Sequence, residues 1–496
     1  MDYALLFSLY LQTHPSGPRQ RQLHACLRAA IRSGTLGAGT RLLATRQLAA
    51  DLGVSRNTVL YAYAQLATEG YVQPDRRGTR VAELALAKPL ANTAQRANTA
   101  PSVAQPTLSR RAHTGEPPPE PLTEAHWMGA FVPGVPALAD LPLAAWRRQM
   151  DRAWRSLSTV QLNYGGPAGQ PLLREAIAEH LRAARGVVCE ARQVFITDGT
   201  QSSLDLCAHA LADVGDTVWL ENPGYRGALT AFHAAELRVH GIAVDADGIA
   251  PSAADWQQHP PKLIYTTPSH QYPLGSVLSL PRRLALLAQA RACGALVIED
   301  DYDSEFRHDG PPPAAMQGLL PHAPVLYLGT FSKTLFPALR IGFMVVPQHL
   351  VAPLEQLLAA SVPQGRAADQ LALAEFLRSG QFATHLGRMR RLYRQRRDAL
   401  RSALVRHFGP DVAVVGGSAG MHLALRLDAA ISDVLVSAQA LQHGIVAHAL
   451  SSHAVGGSHN GPVWNGLMLG YAQVPADQMD AVVKKLARIV HAQTCG

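Results

Sequence analysis

Cysteine is scarce in this chain. Cys26, Cys189, Cys207, Cys293 and Cys495 are scattered, and no two of them form a CxxC pair. Such spacing supplies neither a disulfide framework nor a zinc site, and it fits a reducing compartment. Long apolar runs are missing too, and no stretch approaches the length of a membrane span. The N-terminus carries an apolar patch, Leu5 to Leu11, without a basic region before it or a small-residue cleavage pattern after it, so it does not read as a signal peptide. A cytoplasmic protein is expected, with no membrane partner and no metal. Hydrophobic residues, in contrast, make up 47% of the 496 positions, enough for a large core spread over two or three domains. The net charge of +8 favours an anionic partner.

Residues 20–33 place Leu23, Leu27, Ala30 and Ile31 at helical spacing, with Gly34 and Gly37 beyond them. Thr45 is placed to cap a second helix carrying Leu48, Ala49 and Leu52. Gly53 makes a turn, and Ser55 caps a third helix carrying Val59, Tyr63 and Leu66. Two short helices joined around a glycine form a helix-turn-helix pattern. The second opens with Ser55, Arg56, Asn57 and Thr58, residues suited to reading base edges. Tyr71-Val72, a basic turn with Arg76, Arg77 and Gly78, and Thr79-Arg80-Val81 then read as a two-stranded wing. Residues 1–85 hold ten arginines and five acids, about +5, so double-stranded DNA is the expected partner. Arg46 and Tyr61 join the expected contacts.

Residues 20–82 resemble the winged helix of GntR-type bacterial regulators. The matching elements are GTRL, TRQLAADLGVSRNTV and YAQLATEGY, with Leu43-Ala44 standing where that family usually has Pro-Ser. Domain boundaries are expected at 1–84 for this unit, 85–124 for a flexible Ala-, Pro- and Thr-rich linker, and 125–496 for the remainder.

In the remainder, short apolar runs alternate with helical segments. Val194 to Thr197, Thr217 to Glu221, Leu263 to Thr266, Ala295 to Glu299 and Val325 to Leu328 predict strands, and Leu280 to Ala292 predicts a helix. This is the α/β pattern of a mainly parallel sheet flanked by helices, whose ligands bind at the carboxyl ends of the strands. Five polar segments sit at such ends. Gly199, Thr200 and Gln201 open a helix whose N-terminus suits a phosphate. Tyr225 suits stacking on a flat ring. His270 follows the third strand, either contacting a ligand or holding its own loop. Glu299, Asp300, Asp301 and Asp303 crowd the fourth, and a carboxylate there keeps a pyridine nitrogen protonated. Lys333, flanked by Thr330, Ser332 and Thr334, follows the fifth. A lysine just beyond a buried strand has a lowered pKa and forms an imine with an aldehyde. Arg340 lies seven residues on and suits the phosphate of that aldehyde's carrier. Pyridoxal phosphate (PLP) fits this set.

In this order the segments resemble the PLP-dependent aminotransferases of fold type I over residues 126–490. The resemblance implies Lys333 as the Schiff-base lysine, Asp300 on the pyridine nitrogen, Tyr302 on the ring oxygen and Tyr225 against the ring. It implies Gly199, Thr200, Gln201, Ser332, Thr330 and Arg340 around the phosphate, and a smaller C-terminal α+β subdomain. Tyr164 matches a tyrosine that often reaches the neighbouring subunit's site. A winged helix followed by such a domain is similar to the MocR-type regulators, and IEDDYDSEF, TPSHQYPLG and YLGTFSKTLFPALRIGF are close to their form. That resemblance implies a head-to-tail homodimer regulating transcription in response to an effector. The effector is PLP itself, controlling vitamin B6 genes, or an amine or amino acid that reacts with it. Two departures bear on catalysis. The aminotransferase motif NPxxPxG appears as HQYPLG, and no arginine stands near Met468, where aminotransferases clamp a substrate carboxylate. Both argue for sensing over turnover; the alternative is a working aminotransferase with an accessory DNA-binding domain.

Overall fold

The computed structural model describes residues 2–75, 78–83, 109, 111, 123–310, 312–361, 365–456 and 464–494. The chain divides into two compact units, Met1–Pro106 and Thr107–Gly496. Arg76, Arg77 and nearly all of the expected linker lie outside the described residues.

The first unit holds helices α1 (Tyr3–Thr13), α2 (Arg19–Arg32), α3 (Thr45–Asp51) and α4 (Arg56–Thr68), then strands β1 (Val72–Asp75) and β2 (Gly78–Val81). Every third or fourth residue of α2 and α4 is apolar. Leu23, Leu27, Ile31, Val59, Ala62 and Leu66 therefore share one core, which Tyr3 and Phe7 of α1 close from the other side. Phe7 of the apolar N-terminal patch is thus part of this domain's core, with Leu6, Tyr10 and Leu11 packed against it, while Leu5 and Leu9 stay exposed. Ser55 caps α4 as expected, its hydroxyl accepting from the Thr58 N–H. Thr45 does not cap α3. It is the first helical residue, and Ala44 occupies the cap without a side-chain bond. Strands β1 and β2 pair antiparallel from Val72↔Val81 to Asp75↔Gly78, forming the wing.

The second unit is built on an eight-stranded sheet. Its strands are β3 (Val194–Thr197), β4 (Thr217–Asn222), β5 (Arg238–Asp245), β6 (Gly248–Ile249), β7 (Leu263–Thr266), β8 (Leu296–Asp301), β9 (Val325–Thr330) and β10 (Gly342–Val345). They lie in the order β3-β10-β9-β8-β7-β4-β5-β6. From β9 to β5 the pairs are parallel, while β10 runs antiparallel to both β3 and β9. Alternate residues serve opposite faces, as strand pleating requires. Val194, Ile196, Tyr327, Phe343 and Val345 join one core. Phe195, Leu326, Leu328 and Met344 join the other. With both faces covered, these strands are apolar almost throughout. The five predicted strands are present, several running one or two residues further than expected. The smaller four-stranded sheet comprises β11 (Val414–Gly416), β12 (His422–Arg426), β13 (His448–Ala449) and β14 (Gly466–Gly470), ordered β11-β12-β14-β13. Among the described residues no helix is long and apolar enough to cross a membrane.

Candidate functional sites: a strand-end cleft and a helix-turn-helix face

The ends of β3, β4, β7, β8 and β9 converge on one cleft. Its lining includes Thr200, Tyr225, Asp300, Tyr302 and Lys333 from the predicted set. Lys333 Nζ donates to the carbonyl of Gly134 at 2.7 Å. Burial lowers the lysine's pKa, against the opposing pull of Asp303 and Asp300.

Strand pleating decides which acid of β8 faces the cleft. Asp301 turns to the opposite side, where its carboxylate meets Arg185 Nε at 2.7 Å with both side chains almost fully buried. Glu299 accepts the backbone N–H groups of Met316 and Gln317. Asp300, between them, takes the Tyr265 hydroxyl on Oδ2 at 2.8 Å, while its buried Oδ1 has no partner. Burial pushes the Asp300 carboxyl up to about 7, although the Tyr265 bond pulls the other way. Tyr302 donates to the His270 carbonyl at 2.9 Å, and its oxygen lies 3.0 Å from His270 Nδ1.

At the β3 end, Gly199 adopts φ +102° at the N-cap of the helix Thr200–Leu211. A Cβ at Gly199 would stand 3.5–3.6 Å from the Arg340 guanidinium. The helix's free N–H groups and a guanidinium therefore face the same space, which suits an anion. Arg340 itself sits at φ +51°, a left-handed conformation rarely held by a residue with a side chain. The Gln201 amide is turned away, donating to Gly227 and Asp205, so Gln201 offers this end only its backbone. The Thr330 hydroxyl accepts from the Ser332 N–H at 3.2 Å, which folds the turn between β9 and Lys333. The residues present fit PLP: a buried amine for the aldehyde, a carboxylate oxygen without a partner for the ring nitrogen, and an anion cradle for the phosphate.

His270 does not line the cleft; it is buried behind Tyr302 and Asp303, bonded through Nδ1 to Asp303 Oδ2 at 3.1 Å, and so holds the wall. Asp303 and Tyr272 also line the cleft, as does His422 from β12. Glu221, fully buried, accepts from Thr266, Thr267 and Gln271 and so holds the loop that carries His270. Asp303 and Tyr272 stand inside segments singled out in the sequence, but their roles depend on side-chain direction. No sequence signal marks Gly134 or His422.

In the first unit, Arg46, Ser55, Arg56 and Asn57 are exposed, and Thr58 and Tyr61 are half-buried. Val59, Ala62 and Leu66 point α4 into the core, so the N-terminal turn of α4 presents its polar residues outward. Gly78 opens β2 at φ +137°, next to the wing's turn.

Residues 19–81 match the family described as bacterial regulatory proteins, gntR family, and residues 134–486 match aminotransferase class I and II. Among curated relatives, the probable rhizopine catabolism regulatory protein MocR of Rhizobium meliloti is 39% identical, covering 96% of this chain and 95% of its own. The pyridoxine biosynthesis transcriptional regulator PdxR of Corynebacterium glutamicum is 32% identical, covering 98% and 99%. Of solved structures, the α-aminoadipate aminotransferase LysN of Thermus thermophilus superposes with a TM-score of 0.67 at 28% identity, over 74% of this chain and 93% of LysN. Two domains matched in this order, within relatives matched almost end to end, mean that the chain belongs to the MocR-type transcription regulators of the GntR superfamily, which join a DNA-binding winged helix to an aminotransferase-like domain.

Proposed function

We propose that this regulator carries PLP on Lys333 and that occupancy of the cleft alters its binding to operator DNA. The observation that carries the proposal is a cleft lined by Lys333 and Asp300, whose Oδ1 has no partner, with the Gly199–Arg340 cradle next to its lining residue Thr200. Lys333 holds the aldehyde carbon. Asp300 keeps the ring nitrogen protonated, and Tyr225 covers the ring. Tyr302 is placed for the ring oxygen, and Thr200, Ser332, Thr330 and Arg340 surround the phosphate. Bound PLP supplies an electron-withdrawing ring joined to a carbonyl that exchanges amines. Lys333, with its basicity lowered by burial, is suited to attack as the free amine.

The N-terminal turn of α4 enters the major groove, with Arg56 and Asn57 reading bases and Arg46, Ser55, Thr58 and Tyr61 supporting them. Domain limits at 1–84, 85–124 and 125–496 allow the tether to reach a second subunit. Tyr164 is 82% exposed in the single chain, in keeping with a homodimer, arranged head-to-tail, in which it meets the neighbour. A cytoplasmic site of action follows from DNA binding.

Differential affinity of the ligand for two arrangements of the protein is what regulation requires. The test is an absorbance spectrum of the purified protein, followed by DNA binding with and without PLP at fixed salt. The expected result is a band near the usual imine region that is absent in Lys333→Ala, and a PLP-dependent change in DNA affinity. A catalytic role is the competing account, and sustained turnover with an amino donor and an α-keto acid would favour it.

A further inference from the structure

The cleft takes the carboxyl ends of the parallel strands. At their amino ends, β5, β4 and β7 start beside one another and form a second pocket. Thr217 is the register partner of Arg238, and Val218 is that of Leu263, which sets Lys262 beside Thr217. The Lys262 N–H donates to the Thr217 carbonyl at 2.7 Å and fixes this alignment. Side chains in register across parallel strands share a face of the sheet. Arg238, Thr217 and Lys262 therefore stand in one row, a guanidinium and an ammonium on either side of a hydroxyl. Neighbouring strands lie about 4.8 Å apart, so the two cationic residues start about 10 Å from each other, and all three line the pocket.

The walls of this pocket are held from several sides. His240, two residues beyond Arg238, lies on the same face, and His259 stacks on it with ring centroids 4.2 Å apart. The Trp219 indole N–H donates to the His259 carbonyl at 2.8 Å, and Pro260 and Pro261 stiffen the chain from there to Lys262. Arg238 Nε donates to the Gly215 carbonyl at 2.5 Å, which anchors the guanidinium in the wall. The acids at hand are engaged. Asp216 Oδ2 accepts the Asp213 N–H at 2.9 Å. Asp255 meets His240 Nε2 through Oδ1 at 2.9 Å and takes the Ser252 N–H and hydroxyl on Oδ2.

We infer that this pocket binds the phosphate monoester group of a small molecule, at a site separate from the cleft and independent of what the cleft holds. A phosphate monoester carries nearly two negative charges at neutral pH and three strong acceptor oxygens. The guanidinium fork takes two of those oxygens, and the ammonium and the Thr217 hydroxyl take the third. A carboxylate offers one charge and two oxygens to the same row. A phosphate of the DNA backbone also offers one charge, and it lies on a rod instead of entering a concave site.

The experiment titrates full-length Arg340→Ala protein, which lacks the guanidinium of the cleft's own cradle, in a calorimeter at fixed ionic strength. The ligands are glycerol 3-phosphate, dimethyl phosphate and acetate. Glycerol 3-phosphate is expected to bind at least about tenfold more tightly than either of the others. Adding Arg238→Ala and Lys262→Ala should weaken it by about 10- to 150-fold with the circular dichroism unchanged, because both side chains are exposed. Lys262→Ala alone decides should the pair disturb the fold. Equal binding of the monoester and the diester overturns the inference, as does unchanged affinity in the variants. Lower operator affinity in the variants, with glycerol 3-phosphate bound as before, overturns it too and makes the row a contact for the DNA backbone.

Discussion

Asp300→Asn should stabilise the cofactor-free protein and weaken its hold on PLP. Burial raises the Asp300 carboxyl from 3.8 to about 7. A carboxyl raised on folding costs nothing below its unfolded pKa and its full penalty above its folded pKa. This residue therefore contributes a loss of stability that grows from about pH 4 and is complete near pH 8. Three pH units correspond to roughly 4 kcal/mol. Asparagine keeps an oxygen for the Tyr265 hydroxyl and carries no charge, so it should recover about 2–4 kcal/mol at pH 8 and almost nothing at pH 4. The same change removes a charge-assisted bond to the ring nitrogen, for a loss of about 1.5–3 kcal/mol, or about 10- to 150-fold in PLP affinity. Urea denaturation of wild type and variant across this pH range reads the first effect. Glu299 and Glu305 are raised by burial too, so the difference between the two proteins isolates Asp300. Titration of the cofactor band reads the second. A variant less stable than wild type at pH 8, or one that binds PLP equally well, would refute the reasoning.

Three further outcomes are expected. Arg185→Met leaves the buried Asp301 charge with only the Tyr327 hydroxyl as partner and should cost about 3–5 kcal/mol by urea denaturation, whereas Arg185→Met with Asp301→Leu removes the stranded charge and should recover part of that loss. Arg56→Ala and Asn57→Ala should each lower operator affinity by about 5- to 150-fold in a gel-shift titration while leaving the circular dichroism unchanged, because both side chains are exposed. Gly199→Val places branched carbons against the Arg340 guanidinium at a left-handed φ, and should lower PLP affinity by at least about tenfold in equilibrium dialysis.

The ends of the parallel strands were legible because doubly covered strands are continuously apolar and stop sharply at polar residues. Lys333 also stands out in a sequence with only five lysines, being the one that follows such a strand. Strands β5 and β6 escaped notice because Arg238 to Ile249 mixes His240, Gly241 and Asp245 among its apolar residues. Thr45 was misplaced by one position, since a threonine is equally at home at a cap and in the first turn, and Ala44 gives no signal of its own. The choice among Glu299, Asp300 and Asp301 came from resemblance and is explained by pleating, which sends the middle acid to the cleft. His422 joins the site from about 90 residues beyond Lys333, on a different sheet, and only tertiary packing brings it there.

The acceptor for Lys333 is a main-chain carbonyl, that of Gly134. A peptide oxygen is present whatever residue the codon specifies, but the space beside it is not: a Cβ on Gly134 would crowd Lys333 Nζ, so the anchor depends on this position having no side chain. Its resting place is inherited through the path of the backbone, which bends at Phe131 (φ +65°) and again at Gly134 (φ +71°). Point substitutions elsewhere can erode the cleft piece by piece and still leave the amine anchored. Inserting or deleting a single residue between Phe131 and Val135 would move the anchor itself, and a Cβ at Gly134 would stand 2.8 Å from Lys333 Nζ, so the short stretch has to keep both its length and this glycine.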